Sequence, residues 1–242
     1  MGERAIECSG AAVDGAPAAR GARRAPRFVA IEGPIGVGKT TLARRLAAHW
    51  QAELMLERAG DNPFLERFYA DPRRHALATQ LTFLFDRVDQ YRQVQQQSLF
   101  VDTLVSDFLF DKDRLFARLL LDEAEFALYR QVFDHLQPQC RPPDVVVHLR
   151  APVAVLLERI ARRGLAMERA IDAGYLQRLD EAYAEAFAVY DAAPVLVIDT
   201  AFALDPHGPG AAGDIADLAR RIEACCQGKA AAPADYEPLL GL

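Results

Sequence analysis

The sequence predicts an α/β fold, a five-stranded parallel sheet with helices on both faces. Three observations predict it. Short apolar runs alternate with longer helical patterns along most of the chain, as strands buried on both faces require. A glycine-rich loop, "GPIGVGKTT", stands between the first apolar run and the first helical pattern. A chain of 242 residues with 51% hydrophobic content is long and apolar enough to bury one sizeable core.

The elements follow in order. "RFVAIEG" (27–33) is a short apolar run closed by glycine and reads as the first strand. "KTTLARRLAAHW" reads as a helix with Leu42, Leu46 and Trp50 on one side and Arg44, Arg45 and His49 mostly on the other. "AELMLE" (52–57) is the second strand, ending on Glu57, and "RAGDNPF" is a loop. After Pro72 a long helix begins, with Leu77, Leu81, Leu84, Val88 and Tyr91 spaced as one stripe. "VDTLVSDF" (101–108) is the third strand, and 112–137 reads as helices broken near "LLLDEAEF". "PDVVVHLR" (143–150) is the fourth strand. "APVAVLLERIARR" is a helix stopped by Gly164, and "GYLQRLDEAYAEAFAVY" is another. "PVLVIDT" (194–200) is the fifth strand. A Gly/Pro-rich loop over 205–213 leads to a last helix, "DIADLARRIEACC".

One domain over 27–227 is expected between a flexible N-terminal arm (1–26) and a flexible C-terminal tail (228–242). The arm is rich in Ala, Gly and Arg, has no uninterrupted apolar segment, and carries Glu3, Glu7 and Asp14, which weaken a transit-peptide reading. No apolar run approaches the ~18 residues that cross a bilayer, so no membrane partner is expected. A net charge of −6 argues against a nucleic-acid polymer as partner. Cys8, Cys140, Cys225 and Cys226 form no spaced metal pattern, and a cytoplasmic protein with reduced thiols is expected.

Gly33, Gly38, Lys39 and Thr40 satisfy G-x-x-x-x-G-K-[ST]. In that motif the glycines permit backbone angles and close approaches that a Cβ would block. The amides of residues 33–41 (Gly33, Pro34, Ile35, Gly36, Val37, Gly38, Lys39, Thr40 and Thr41) are the expected cradle for ATP or GTP, Pro34 lacking an N–H. Lys39 is expected to reach the β/γ phosphates and the Thr40 hydroxyl to bind Mg²⁺. Ligands on parallel sheets sit beyond the strand C-termini near the reversal of strand order, and Gly33, Glu57 and Asp107 fall at three such ends.

"GPIGVGKTTLA", "NPFLERFYADP", "ATQLTFLFDR", "LFDKDRLFA" and "LLERIARRG...E" occur in the order found in deoxynucleoside kinases. Over residues 27–200 the chain resembles that family, and most of all its bacterial deoxyadenosine/deoxyguanosine branch. The resemblance implies a P-loop kinase fold with an Arg-rich lid, and transfer of the ATP γ-phosphoryl group to a deoxynucleoside 5′-hydroxyl with Mg²⁺. It makes Glu57 the general base, a role that suits a carboxylate because a sugar hydroxyl holds its proton tightly near pH 7. A solvated strand-end Glu is the alternative. Tyr69 and Glu168 match the pair that holds the sugar 3′-hydroxyl; Tyr69 also reads as an ordinary packed aromatic.

On the long helix, Ala76, Gln80, Phe83 and Arg87 form a second stripe, and Gln80 and Arg87 need partners if buried. A solvated flank is the other reading. The resemblance puts Gln80 on a base edge and Arg87 opposite Asp113, a pair found in members that take deoxyadenosine, deoxyguanosine or deoxycytidine rather than thymidine. It offers Phe116 as a stacking ring and Asp107 as an Mg²⁺ or water-shell carboxylate. Arg159 and Arg163, and less so Arg162, match the lid, although basic residues also end helices for their dipole. A homodimer joined through helices is implied as well.

Two positions depart from the family pattern. Phe108 follows Asp107 where the family often has Arg, and Leu165 follows Gly164 where many members have a second lid Arg. Both remove positive charge near the transferring phosphate, which Arg114 or Arg169 could restore; without it, turnover should be slow. Two further functions stay open at this stage: a thymidylate-type nucleoside monophosphate kinase, and a nucleotide-binding regulator with little chemistry.

Overall fold

The computed structural model describes residues 26–97, 103–136, 142–203 and 215–228. The expected arm and tail lie outside these residues but for their ends at 26 and 228. The five expected strands are present as β1 (Phe28–Glu32), β2 (Glu53–Met55), β3 (Leu104–Ser106), β4 (Val145–Arg150) and β5 (Val195–Asp199). All pairings are parallel, in the order β2-β3-β1-β4-β5. The order reverses at β1, which β3 and β4 flank. The loop leaving β1 therefore opens at the switch point, where parallel sheets bind ligands.

Alternate side chains of the buried strands feed two core layers. Val29 and Ile31 join Val147 and Leu149 beneath α1 (Lys39–Trp50), α6 (Val153–Arg163) and α9 (Ile215–Cys226). Phe28 and Ala30 join Val146 on the opposite face, beneath α3 (Pro72–Gln97), α4 (Lys112–Leu120) and α5 (Glu123–Leu136). Burial on both faces is why these strands read as continuous apolar runs rather than as alternating ones.

Helix α3 buries both of the stripes read from its sequence. Leu84, Val88 and Tyr91 are buried, and so are Ala76, Gln80 and Arg87. The solvated-flank reading of the second stripe is therefore corrected: α4 and the short helix α2 (Leu65–Ala70) cover it. Helix α2 lay between Pro63 and Pro72, with too few residues for its period to show. It anchors through Leu65 and Phe68 in a small third cluster with Ala76. Helix α6 stops at Gly164 (φ 71°), in the left-handed region that favours glycine. A 3₁₀ turn (Ala166–Ala170) then leads to α7 (Ala173–Ala188), whose N-cap Asp172 accepts from the Tyr175 amide at 2.7 Å. Helix α8 (Thr200–Ala203) follows β5 directly.

Strands β2 and β3 end earlier than the sequence suggests. Glu57 and Asp107 lie just beyond the paired residues, and the reason is a side chain. The Asp107 amide still donates to Met55 O (3.1 Å), but Asp107 Oδ1 takes the Glu57 amide at 2.7 Å. A carboxylate replaces the next ladder carbonyl and turns both strand ends into a site.

Candidate active site

The glycine loop fits its surroundings closely. Gly33, Gly36 and Gly38 all have φ between 83° and 146°. A Cβ on Gly33 would collide with the Leu149 carbonyl oxygen, and one on Gly36 would press on Leu156 O and Ile160. The Val37 amide donates to Pro34 O (3.3 Å), and Val37 O accepts from the Thr200 hydroxyl (3.1 Å). Ile35, Thr40 and Thr41 are partly or fully exposed. Lys39 Nζ donates to Gly33 O (2.7 Å) and Pro34 O (3.1 Å). Burial and the nearby Lys112 ammonium push the Lys39 ammonium down to about 8.

Beside the loop, Thr40 Oγ1 donates to Asp107 Oδ2 at 2.5 Å. A hydroxyl and a carboxylate side by side are hard oxygen donors of the kind Mg²⁺ takes, and Mg²⁺ sites usually draw only one or two carboxylates from the protein. The residues present therefore fit the metal. Among the described residues no group of three or more His, Cys, Asp or Glu forms a cage.

Glu57 completes the cluster. One of its oxygens takes a hydrogen bond from Arg87 Nη2, and the other takes one from Lys112 Nζ at 3.0 Å. Burial pushes its carboxyl upward, but Lys112 and Arg87 outweigh that and hold it far below the usual carboxylate range. The solvated strand-end reading is corrected. Arg87 also meets Asp113 at 2.6 Å, a close ionic contact poorly aligned for a hydrogen bond. Its guanidinium lies over the rings of Phe83 (5.1 Å) and Phe108 (5.7 Å). The expected facing of Arg87 and Asp113 is present, with a second partner, Glu57, that the sequence reading did not include. Phe116 lies edge-on to Tyr183 and carries the Lys112 ammonium 5.6 Å above its ring. Gln80 is buried one turn of α3 before Phe83 and Leu84.

The expected sugar pair and the lid come together differently. Glu168 in the 3₁₀ turn is gripped by Arg163, Nε at 3.0 Å and Nη2 at 2.6 Å. Tyr69 is near enough to both for their charges to act on its phenol, which burial pushes upward. Arg163 is thus joined to the pair expected to hold sugar rather than to the glycine loop. Arg159 is joined to the loop: it donates to Val37 O (3.3 Å), Thr200 Oγ1 (3.0 Å) and Thr200 O (2.7 Å). Arg162 and Leu165 are exposed.

Three participants went unread in the sequence. Buried Glu32 accepts from the Gly33 amide (2.9 Å), the Leu109 amide (2.9 Å) and the Tyr183 hydroxyl (2.8 Å), tying the glycine loop to the β3–α4 segment and to α7. Thr200, the first residue of α8, latches the loop through Val37 O. Lys112 is one of only three lysines in the chain, and that rarity was its one signal.

The family model for deoxynucleoside kinases matches residues 29–207, a span that includes every part of this site. The chain belongs to the deoxynucleoside kinase family. It is 31% identical over 157 residues to the deoxyguanosine kinase of Bacillus subtilis, a match spanning 64% of this chain and 76% of that one. It is 34% identical over 162 residues to the deoxyadenosine kinase of Dictyostelium discoideum, spanning 65% of each. Its fold matches that of a deoxyadenosine kinase from M. mycoides solved with dCMP and dCDP: TM-score 0.64, 24% identity, 72% of this chain and 90% of that one. The enzyme is therefore a kinase of the deoxynucleoside class with the expected five-stranded parallel α/β fold. No helix among the described residues is long and apolar enough to cross a membrane.

Proposed function

We propose that this deoxynucleoside kinase transfers the γ-phosphoryl group of ATP, with Mg²⁺, to the 5′-hydroxyl of a purine deoxynucleoside or deoxycytidine in preference to thymidine. It would serve nucleotide salvage in the cytoplasm, as a homodimer. The observation that carries this reading is the junction of Glu57 with Asp107 and Thr40: a proton acceptor stands at the rim of a phosphate-binding loop.

In this reading the amides of Ile35, Gly36, Gly38, Lys39, Thr40 and Thr41 and the Lys39 ammonium hold the donor phosphates, while the Gly33 amide is given to Glu32 and the Val37 amide to Pro34 O. Thr40 and Asp107 would hold Mg²⁺, which supplies neutralisation of phosphate charge when bound. The sugar hydroxyl oxygen attacks the γ-phosphorus; the new O–P bond forms, the bond to the β-phosphate oxygen breaks, and ADP leaves. The hydroxyl proton passes to Glu57 and from there to solvent. A carboxylate held so acidic is a weak base. It suits a loose transition state, in which the attacking oxygen gains charge late and gives up its proton late. Arg159 lies against the donor loop. Tyr69 and Glu168 face the sugar, with Arg163 linking that pair to the lid.

Gln80 and the Arg87–Asp113 pair would read the base, with Phe83 and Phe116 as neighbouring rings. The names of the relatives support the preference, since they specify deoxyguanosine and deoxyadenosine, and in another B. subtilis relative deoxyadenosine and deoxycytidine. The monophosphate-kinase reading needs free Arg on the acceptor side; Arg87 already faces two carboxylates, which leaves it the exposed Arg58 beside Glu57.

The test is to incubate pure protein with Mg-ATP and each of four deoxynucleosides. Monophosphate is expected from deoxyguanosine, deoxyadenosine or deoxycytidine ahead of thymidine, and chelation of the metal should abolish it. Glu57→Gln should lose about 10²–10⁴ in kcat while binding both ligands. Unchanged turnover in that variant removes Glu57 as the base. Phosphorylation of a monophosphate but not of a nucleoside would replace the proposal.

A further inference from the structure

A second ammonium stands beside Glu57. Lys112 is buried at 7% exposure, although lysines normally keep the charged end in water. It is also the first residue of α4, where a cation opposes the helix dipole. Both placements cost stability locally, so something outside the helix holds the side chain there. Its hydrogen-bond partner is Glu57 Oε2 at 3.0 Å; the attraction of buried Glu32, and after it that of Glu57, offset burial and keep Lys112 protonated. Arg87 bonds the other carboxylate oxygen but shares its one charge with Asp113, so Lys112 is the second cation that balances Glu57 and Asp113. The neighbouring strand end supplies the Asp107 carboxylate but no positive charge, because Phe108 is fully buried beside Tyr91 in the core.

We propose that Lys112 is a positioning residue for phosphoryl transfer. It fixes Glu57 through Oε2 while Arg87 holds Oε1, and it places positive charge at the acceptor end of the cluster, where Phe108 contributes none. The groups around this contact are Glu32 from β1, Lys39 from α1, Arg87 from α3, Asp107 from the end of β3 and Asp113 from α4. With both oxygens anchored, Glu57 presents one orientation to the incoming hydroxyl. The inference rests on the role of Glu57 proposed above.

A double-mutant cycle tests it, with steady-state kinetics of Lys112→Met, Lys112→Arg, Glu57→Gln and the Glu57→Gln/Lys112→Met pair. Lys112→Met should lower kcat at least about tenfold while both KM values stay within about threefold, and Lys112→Arg should recover most of the loss. On the Glu57→Gln background the same Lys112→Met change should cost less than about threefold, because its effect passes through the missing carboxylate. Wild-type kcat in Lys112→Met, an Arg variant as slow as the Met variant, or full additivity would each overturn the inference. If Lys112→Met alone fails to fold, Lys112→Gln takes its corner of the cycle with the same expected and overturning results, and a cost above about threefold in the pair relative to Glu57→Gln overturns the inference by itself. An active Glu57→Gln enzyme would instead overturn the general-base reading itself.

Discussion

Arg87 sits between two carboxylates, Glu57 and Asp113, and is nearly inaccessible to water. Burial opposes its charge, and the two acids more than restore it. Asp113 is the exposed weakness of this arrangement, in energy rather than in area: fully buried, its carboxyl is pushed upward by desolvation and held back chiefly by Arg87. Arg87→Met should therefore destabilise the fold by about 3–5 kcal/mol, because it strands a buried charge. Adding Asp113→Asn should return part of that loss, and chemical denaturation of the three proteins measures both effects. The contacts at this scale were only half legible in the sequence. Gln80 and Arg87 announced themselves as polar residues in an apolar helical stripe, and Glu57 as an acid at a strand end. Lys112 and Glu32 did not, because a single charged residue carries no period, and what makes each matter is a partner 55 or 77 positions away in the chain.

Among the elements, β4 and α7 share an acid-sensitive contact. His148 on β4 is buried against the rings of Phe187 (4.5 Å) and Tyr183 (5.7 Å), with no hydrogen bond to Nε2. Burial, and then Arg150, push it down to about 4, with Asp180 opposing. The folded state thus keeps a neutral ring that the unfolded chain protonates below about 6.5. Stability from this group is complete above that pH and is lost as pH falls towards 4, by about 3 kcal/mol in all. His148→Phe, which keeps an aromatic ring in the stack, should flatten that part of the stability–pH curve, read from thermal unfolding between pH 7 and pH 4. Elements were the most legible level in the sequence. All five strands and the long helix were readable, since apolar runs and four-three spacing are local properties. Helix α2 was not, because six residues between two prolines give no period. The ends of β2 and β3 were not either, because the side chain of Asp107, rather than any breaker residue, ends the pairing.

For the molecule as a whole, the strand order set where the site formed and the sequence did not state it. The neighbouring strands β2, β3 and β1, which Glu57, Asp107 and the glycine loop follow, bring all three to one rim. Two large apolar side chains, Phe85 on α3 and Leu128 on α5, are about half exposed on helices that pack together. Leu165, Val189 and Val197 are exposed as well, and single apolar side chains are ordinary on a surface; a homodimer joined through helices, as proposed, would cover Phe85 and Leu128. Light scattering should report about twice the 26.7 kDa chain mass, and Phe85→Glu with Leu128→Glu should halve it. A single mass for the unaltered protein would remove the dimer. The squeeze of Gly33 against the Leu149 carbonyl has an outcome of its own for anyone re-engineering the donor preference. The cradle and strand β4 behave as one casting, so widening it from beneath would break the sheet. Remodelling has to come from the opposite lip, where Arg159 and Thr200 grip Val37 by side chains that can be exchanged without touching the foundation.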